Sequence, residues 1–476
     1  MKNKKLYTMK EQLEFAQLSG DFNAMHVDEA AARRHMFGRP VVHGIHILLS
    51  ALDWYLGRGK GISAIEELRS FFKMPLPVGE EAAFELRKED NESCSIDVIE
   101  DVHLAADIKF KWKKARESYP DEFRKGLFEE EKIKELSIAE ITGAKGELEL
   151  AFDKKSAETL FPNVYRHIPP IQIAEILSTT RLVGMKCPGT NSLYSDLNVA
   201  HVQAAAARTS MAYAVKGFDE RFNKAVIDIE GPTLKGTVGA FVRPKPKDQA
   251  SFTDVQKAVT KDEFKGQKAL IIGASRGLGE VTAKLLAAGG AKVMLTYFRG
   301  KDDADAVVKE IKAGGGEAES IAFNIFSPDE TDLELLRDHA PTHVYYFATP
   351  YIAPGGKNFS EKIFKRFSDY YVTGFSNTVD LLVKEFPSIK HIFYPSSVFI
   401  DELPGSFMEY VEAKKKGEEL CIDIEQSKKI AVYCPRLPKM TTDQTLSLYG
   451  DGGAEDPVHI MVKYAREFNK KQDQKG

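Results

Sequence analysis

One stretch, Leu18 to Gly44, "LSGDFNAMHVDEAAARRHMFGRPVVHG", sets Asp21, Asn23 and His26 within six residues and follows them with His43-Gly44. Adding water across a double bond conjugated to a thioester needs a base for the water, an acid for the α-carbon and a donor for the enolate oxygen. Asp21 and His26, five apart on one loop, can hold a single water between them, with Asn23 fixing the loop. Gly44 opens an amphipathic segment, and the N–H of a first helical residue is a natural oxyanion donor. The same residues also fit a plain reading, since Asp28 before "EAAARR" is an ordinary helix cap and "SGD" is ordinary turn composition. The four histidines His26, His35, His43 and His46 raise the question of a metal, but no cysteine accompanies them and none is expected.

A second chemical constellation lies far downstream. "LIIGASRGLGEVTAKLL" places Gly273, Gly277 and Gly279 between a strand-like run and a helix-like one, with Ser275, Arg276 and Leu278 on the same loop. Such glycines let a chain turn sharply and let a pyrophosphate approach backbone N–H groups at a helix start. The next strand ends "LTYFRG", without the carboxylate that would meet an NAD ribose, and Arg276 and Arg299 suit a 2′-phosphate instead. NADPH is therefore expected rather than NADH. Farther on, Tyr410 and Lys414 are four apart and share a helix face, where the ammonium is expected to lower the phenol's pKa. Ser397 precedes Tyr410 by thirteen residues.

The elements needed to position these groups fall into three blocks. Residues 1–118 pair an apolar helical stripe (Ile45, Leu48, Leu49, Leu52 and Leu56 in "HGIHILLSALDWYLG") with alternating strands such as "SCSIDVIEDV". Residues 119–247 repeat this weakly: Ile173, Ile176 and Leu177 in "IQIAEILSTTRLVG" fall in the same register about 128 positions later. Both fit an α+β unit, a helix wrapped by an antiparallel sheet. Residues 248–262 read as a linker. From 263 to 476, "KALIIGAS", "AKVMLTYF", "AESIAFNI", "THVYYFAT", "KHIFYPSS" and "KIAVYCP" alternate with helical segments, the pattern of an α/β doubly wound parallel sheet.

Composition is that of an ordinary folded chain of several domains: 476 residues, 43% hydrophobic, 29% charged and a formal net charge of −4. That charge gives no reason to expect nucleic acid or an anionic membrane as partner. Four scattered cysteines form neither a disulfide framework nor a zinc set, and no run has the roughly 18 apolar residues of a membrane span. The basic N-terminus lacks the apolar core of a signal peptide, so a cytoplasmic setting is expected.

With these residues in view, "FAQLSGDFNAMHVDEAAARRHMFGRPVVHG" closely resembles the signature of the MaoC-like, R-specific enoyl-CoA hydratases, which have the hotdog fold. The resemblance implies that Asp21 and His26 are the catalytic pair, with Asn23 in support and Gly44 supplying the oxyanion hole. Ala24 departs from the family's usual Pro. The second block does not repeat the motif: Asp153 is followed by Lys155 and Glu158, and Ile171 and Gln172 stand in register with His43-Gly44. It resembles the non-catalytic half of a double hotdog, expected to pair with the first half and widen an acyl tunnel. From 263 onward the chain resembles a short-chain dehydrogenase/reductase, a Rossmann-like fold. That resemblance implies that Ser397 orients a carbonyl, Tyr410 protonates it and Lys414 binds the nicotinamide ribose. Departures are "FATP" after the fourth strand, Tyr371 in place of an Asn, Asn324 in place of an adenine-binding Asp, and Pro435-Arg436 with about 40 residues after it, from which a short lid and a missing last strand are expected.

Together the resemblances imply a bifunctional enzyme acting on acyl-CoA or acyl carrier protein thioesters. It would reduce a 3-oxoacyl thioester with NADPH to the (R)-3-hydroxyacyl thioester and interconvert that with the 2-enoyl thioester. A homodimer or higher homo-oligomer is expected. The alternative is a hydratase alone, with the reductase-like block as a nucleotide-binding module.

Overall fold

The stripe in "GIHILLSALDWYL" becomes helix α1, Gly44–Leu56, in which Ile45, Leu48, Leu49 and Leu52 are completely buried. Ile47, Ser50 and Ala51 on its other sides are buried as well, which is the mark of a helix enclosed rather than laid on a surface. Its counterpart is α2, Pro170–Arg181, buried from Ile171 to Arg181. The computed structural model describes residues 3–59, 62–114, 123–203, 208–328, 330–352, 354–356, 358–448 and 452–473. The chain divides into two compact units, one of residues 1–245 with 447–450, the other of residues 246–446 with 451–476.

The first unit is built on one antiparallel sheet of ten strands. These are β1 (Lys4–Leu6), β2 (Ala64–Phe72), β3 (Glu81–Glu89), β4 (Ser93–Glu100), β5 (His103–Lys113), β6 (Lys145–Glu149), β7 (Ser192–His201), β8 (Ser210–Asp219), β9 (Lys224–Glu230) and β10 (Leu234–Val242). Their order is β1-β3-β4-β5-β2-β7-β10-β9-β8-β6. The second five strands mirror the first five about the β2–β7 seam, where Leu68 faces Val199 and Ser70 faces Leu197. Each half carries its own buried helix, and the two halves share one hydrophobic core.

The repeat carries a two-residue slip. His43 before α1 and Pro169 before α2 have nearly the same backbone angles (φ −57° and ψ 134° or 135°), so Pro170, and not Gln172, holds the place of Gly44. The second half is longer by two residues between helix start and central strand, in the segment where a π-turn, Leu182–Lys186, extends α2. Gln172 instead grips the backbone of Ile65, accepting its N–H at 2.8 Å and donating to its carbonyl at 3.1 Å.

The second unit has six parallel strands: β11 (Lys268–Ile272), β12 (Lys292–Tyr297), β13 (Glu317–Ala322), β14 (His343–Tyr346), β15 (His391–Phe393) and β16 (Ala431–Tyr433), in the order β13-β12-β11-β14-β15-β16. That is the 3-2-1-4-5-6 order of a doubly wound nucleotide-binding sheet, whose ligand crevice lies beyond the carboxyl ends of the strands at β11 and β14. Helix α3, Gly277–Ala288, follows β11, α4, Met408–Lys428, precedes β16, and α5, Pro457–Asp473, ends the described chain. Phe468 of α5 sets its ring against Tyr345, Phe393 and Tyr433. No helix among the described residues is long and apolar enough to cross a membrane.

The expected linker at 248–262 is a correction. Phe252–Gln256 is helical, capped by Ser251, and Phe252 and Val255 are buried in the core of the second unit. The hollow for Phe252 exists because Gly314 and Gly316 face it; a Cβ on Gly314 would come within 2.2 Å of the Phe252 ring.

Candidate active sites

Gly20 ends the helix Met9–Ser19 in the left-handed region (φ +76°) and turns the chain into the Asp21 loop. Asn23 caps the short helix Ala24–Val27, its Oδ1 accepting from the Met25 N–H. The Asp21 carboxylate is buried; Oδ1 accepts from the Asn23 N–H at 3.2 Å and Oδ2 from the Thr180 hydroxyl at 2.6 Å. Burial pushes its pKa up to about 6, against the downward pull of the Thr180 and Asn23 hydrogen bonds. His26 donates from Nδ1 to the Val41 carbonyl at 2.7 Å, which leaves the lone pair on Nε2. Burial lowers its pKa to about 4, so it is neutral at pH 7.

His43 lies flat on His26, ring centres 3.9 Å apart, and this places the start of α1, and Gly44 with it, beside the loop. A Cβ on Gly44 would sit 2.9 Å from the Phe72 ring, so glycine is the residue that fits. Side-chain atoms of Asp21, His26 and His43 lie within 4.8 Å of one another, a spacing that would suit a metal. The two His43 nitrogens each face an acceptor oxygen, Nε2 the Asp21 carbonyl and Nδ1 Gln12 Oε1, both at 3.0 Å, and a neutral ring donates to one of them. With His26 Nδ1 committed to Val41, the Asp21 carboxylate and the His26 Nε2 lone pair form a set that can hold a proton or a water.

The second half, read from sequence as a non-catalytic partner that widens an acyl tunnel, holds the residues of the Asp21 loop in place. Thr180 at the end of α2 supplies the shortest hydrogen bond to Asp21. Gly184 in the π-turn leaves the space that Asp21 fills, since a Cβ there would lie 2.0 Å from Oδ1. The Asn23 amide donates to the carbonyls of Gly184, Gly189 and Thr190 at 3.2–3.3 Å. These partners were out of reach of a local motif, 159 to 167 residues away. Within the second half itself Asp153 caps the helix Lys154–Leu160, and Pro170 has no N–H to offer an oxyanion.

In the second unit, β11 leads into the glycine turn. Gly273 (φ +81°) and Gly277 (φ +62°) need the left-handed region, and a Cβ on Gly279 would strike the Gly273 carbonyl at 2.3 Å. Ser275, Arg276 and Leu278 line the turn and the first residues of α3, so the cradle fits a dinucleotide pyrophosphate. Arg276 is ion-paired to Asp443 at 2.5 Å, and the exposed Arg299 lies beside the Phe298 ring. Asn324 turns its Oδ1 onto the Phe326 N–H at 3.1 Å.

Ser397, Tyr410 and Lys414 are brought together and are all buried; the Ser397 hydroxyl accepts from the Phe399 N–H at 3.2 Å, while Ser396 is held by Glu418 at 2.6 Å. The expected lowering of the Tyr410 pKa is not found. Burial pushes the phenol up to about 12, and Lys414 is turned elsewhere, donating to the Pro395 carbonyl at 2.7 Å. Its Nζ stands 3.9 Å from the centre of the Tyr371 ring and 5.9 Å from that of Tyr410. Burial also lowers the Lys414 pKa to about 8. Tyr371, where an Asn was expected, hydrogen-bonds Thr349 at 2.6 Å and sets its ring edge-on to Tyr410.

Residues 2–105 match the model of the MaoC like domain, and residues 267–344 match that of short chain dehydrogenase. A 3-oxoacyl-[acyl-carrier-protein] reductase of Synechocystis sp. is 52% identical over 66 residues, 14% of this chain and 27% of that protein. Versicolorin reductase stcU of Emericella nidulans is 40% identical over 81 residues, 17% of this chain and 30% of that protein. The reductase FabG of Staphylococcus epidermidis is 47% identical over 72 residues, 15% of this chain and 29% of that protein. The chain thus spans under a third of the length of these curated relatives.

Proposed function

We propose, for a chain that joins a MaoC-like domain to a short-chain dehydrogenase domain, a bifunctional acyl-thioester enzyme. Its second unit reduces a 3-oxoacyl thioester to the (R)-3-hydroxyacyl thioester, and its first dehydrates that product to the 2-enoyl thioester and back. The first unit is read as a double hotdog, residues 1–118 catalytic and 119–247 degenerate, the whole working in the cytoplasm as a homodimer or higher homo-oligomer. The carrier is coenzyme A or an acyl carrier protein.

The observation that carries the hydratase reading is the buried Asp21–His26 pair, a carboxylate with its pKa near 6 beside a neutral imidazole with a lone pair on Nε2. One water donates one hydrogen to each, which aims its oxygen lone pair at C3 of the enoyl thioester. Asp21 takes the proton as the C–O bond forms, the enolate oxygen draws on the Gly44 N–H, and the proton on Asp21 is the one available for return to C2. Loss of the conjugated absorbance of a crotonyl thioester measures this half. Asp21→Ala and His26→Ala must each abolish it; absorbance loss indifferent to both refutes the assignment.

For the reductase, Gly273, Gly277 and Gly279 would hold the pyrophosphate, Arg276 and Arg299 a 2′-phosphate, Asn324 the adenine and Lys414 the ribose of NADPH. That group, when bound, supplies the hydride. Tyr410 keeps its proton at neutral pH and gives it to the substrate oxygen that Ser397 orients. The runner-up reading, a second unit that binds nucleotide without turnover, is favoured by Lys414 standing closer to the Tyr371 ring than to that of Tyr410. NADPH oxidation with acetoacetyl thioester, lost in Tyr410→Phe, supports the reductase; tight NADPH binding without turnover on any 3-oxoacyl thioester supports the binding module.

A further inference from the structure

Arg243, the residue after β10, is 2% exposed, yet no carboxylate pairs with it among the described residues. Its Nε donates to the Ser192 carbonyl at 3.0 Å and its Nη2 to the Thr190 carbonyl at 2.7 Å, while Nη1 is buried with no acceptor. The Thr190 carbonyl is the same atom that takes a hydrogen bond from the Asn23 amide, so the guanidinium and the Asp21–His26 loop meet on one oxygen. Its charge opposes protonation of both His26 and His35, and His35 Nδ1 is itself buried without a partner. Met25, Phe37 and Val41, with Leu193, form a small apolar cluster of their own on this side of the loop.

A buried guanidinium without a counter-charge is costly, and an unpaired N–H nitrogen adds to that cost. Two backbone carbonyls leave the charge itself unmatched. We infer that Arg243 Nη1, with His35 beside it, receives an anionic oxygen of the acyl-thioester substrate, either a carboxylate on the acyl chain or a phosphate on the carrier arm. The inference rests on the hydratase reading and names what that site selects. It makes the degenerate half the source of substrate charge recognition.

The test compares three enoyl thioesters on the full chain. Crotonyl-N-acetylcysteamine carries neither anion, crotonyl-CoA carries phosphates, and the N-acetylcysteamine monothioester of fumaric acid carries an acyl carboxylate. Arg243→Gln lowers kcat/KM for one of the charged substrates by about 10- to 100-fold more than for crotonyl-N-acetylcysteamine, the worth of a hydrogen bond to a charged group. Selective loss on crotonyl-CoA assigns the phosphate, and selective loss on the fumaryl thioester assigns the carboxylate. Equal factors on all three overturn the inference, because Arg243 then serves only to hold the Thr190 and Ser192 carbonyls.

Inhibition of the wild type gives the same answer without a variant that must fold. CoA against pantetheine, or succinyl- against butyryl-N-acetylcysteamine, must differ about tenfold or more in Ki in favour of the charged member; no difference in either pair overturns the inference. Asp21→Ala and His26→Ala, run in parallel, separate the two failures. Activity surviving both overturns the hydratase reading. Activity lost in both, with equal factors for Arg243→Gln, overturns the role of Arg243 alone.

Discussion

Replacing Thr180 by Val removes one hydroxyl and nearly preserves shape, and the consequence falls on a residue 159 positions away. The hydroxyl donates to Asp21 Oδ2 at 2.6 Å inside a buried site. A hydrogen bond to a charged group is worth about 1.5–3 kcal/mol, and it favours the carboxylate over the acid. At 1.36 kcal/mol per pKa unit, losing it raises the Asp21 pKa by about 1–2 units. Burial already holds that pKa near 6, so the variant's carboxyl titrates at about 7–8. Under the proposed function ionised Asp21 takes a proton from water, so the acid limb of kcat/KM moves up by the same amount. At pH 7 the variant loses about two- to tenfold in crotonyl thioester hydration and regains it by about pH 9. Thr180→Ser keeps the donor and tracks the wild type. A Thr180→Val profile with an unshifted acid limb refutes the reasoning, since Asp21 then does not depend on this hydroxyl or does not set the limb.

Three further outcomes follow from the same geometry. Asp21 has a folded-state pKa above its ordinary 3.8, so the native state binds the extra proton and stability falls as pH rises from about 4 to about 6, by about 3 kcal/mol in all. Urea titrations across that range should show Asp21→Asn gaining on the wild type and then levelling off above pH 6; a flat difference counts against a buried, strained carboxylate. Gly184→Ala, whose methyl would lie 2.0 Å from Asp21 Oδ1, should cut hydration at least about tenfold, as a displaced catalytic group does, with little change in NADPH binding, measured on one preparation. Asp443→Asn frees Arg276 from its ion pair and should tighten NADPH relative to NADH in fluorescence titrations; an unchanged ratio removes Arg276 from 2′-phosphate recognition.

The two sites differ in how much of them a sequence can show. The Asp21 loop and the glycine turn are contiguous, and contiguous groups are fixed by local rules. A glycine at positive φ closes a helix, an Asn caps the next one, and three glycines shape a turn onto which a helix start can pack. The two-part architecture was legible for the same reason, since strand and helix periods are local. Phe252 was not: two apolar residues in a charged stretch become core only because Gly314 and Gly316 leave a hollow for them more than fifty residues later. Lys414 was misread for a similar reason. Four-residue spacing on α4 did bring it near Tyr410, but the Pro395 carbonyl and the Tyr371 ring, from other elements, decide where its ammonium rests.

The second half shows the limit most clearly. It carries no copy of the Asp21–His26 pattern: Pro170 stands where Gly44 stands in the first half, and Asp153 is a helix cap. Pairing β2 with β7 carries its helix end onto the Asp21 loop of the first half, and there Thr180, Gly184 and the carbonyls of Gly184, Gly189 and Thr190 hold Asp21 and Asn23. Under the proposed function, a variant that places an Asp–His pair in the second half gains no second site, because Pro170 has no N–H to act as the enolate donor assigned to Gly44 in the first.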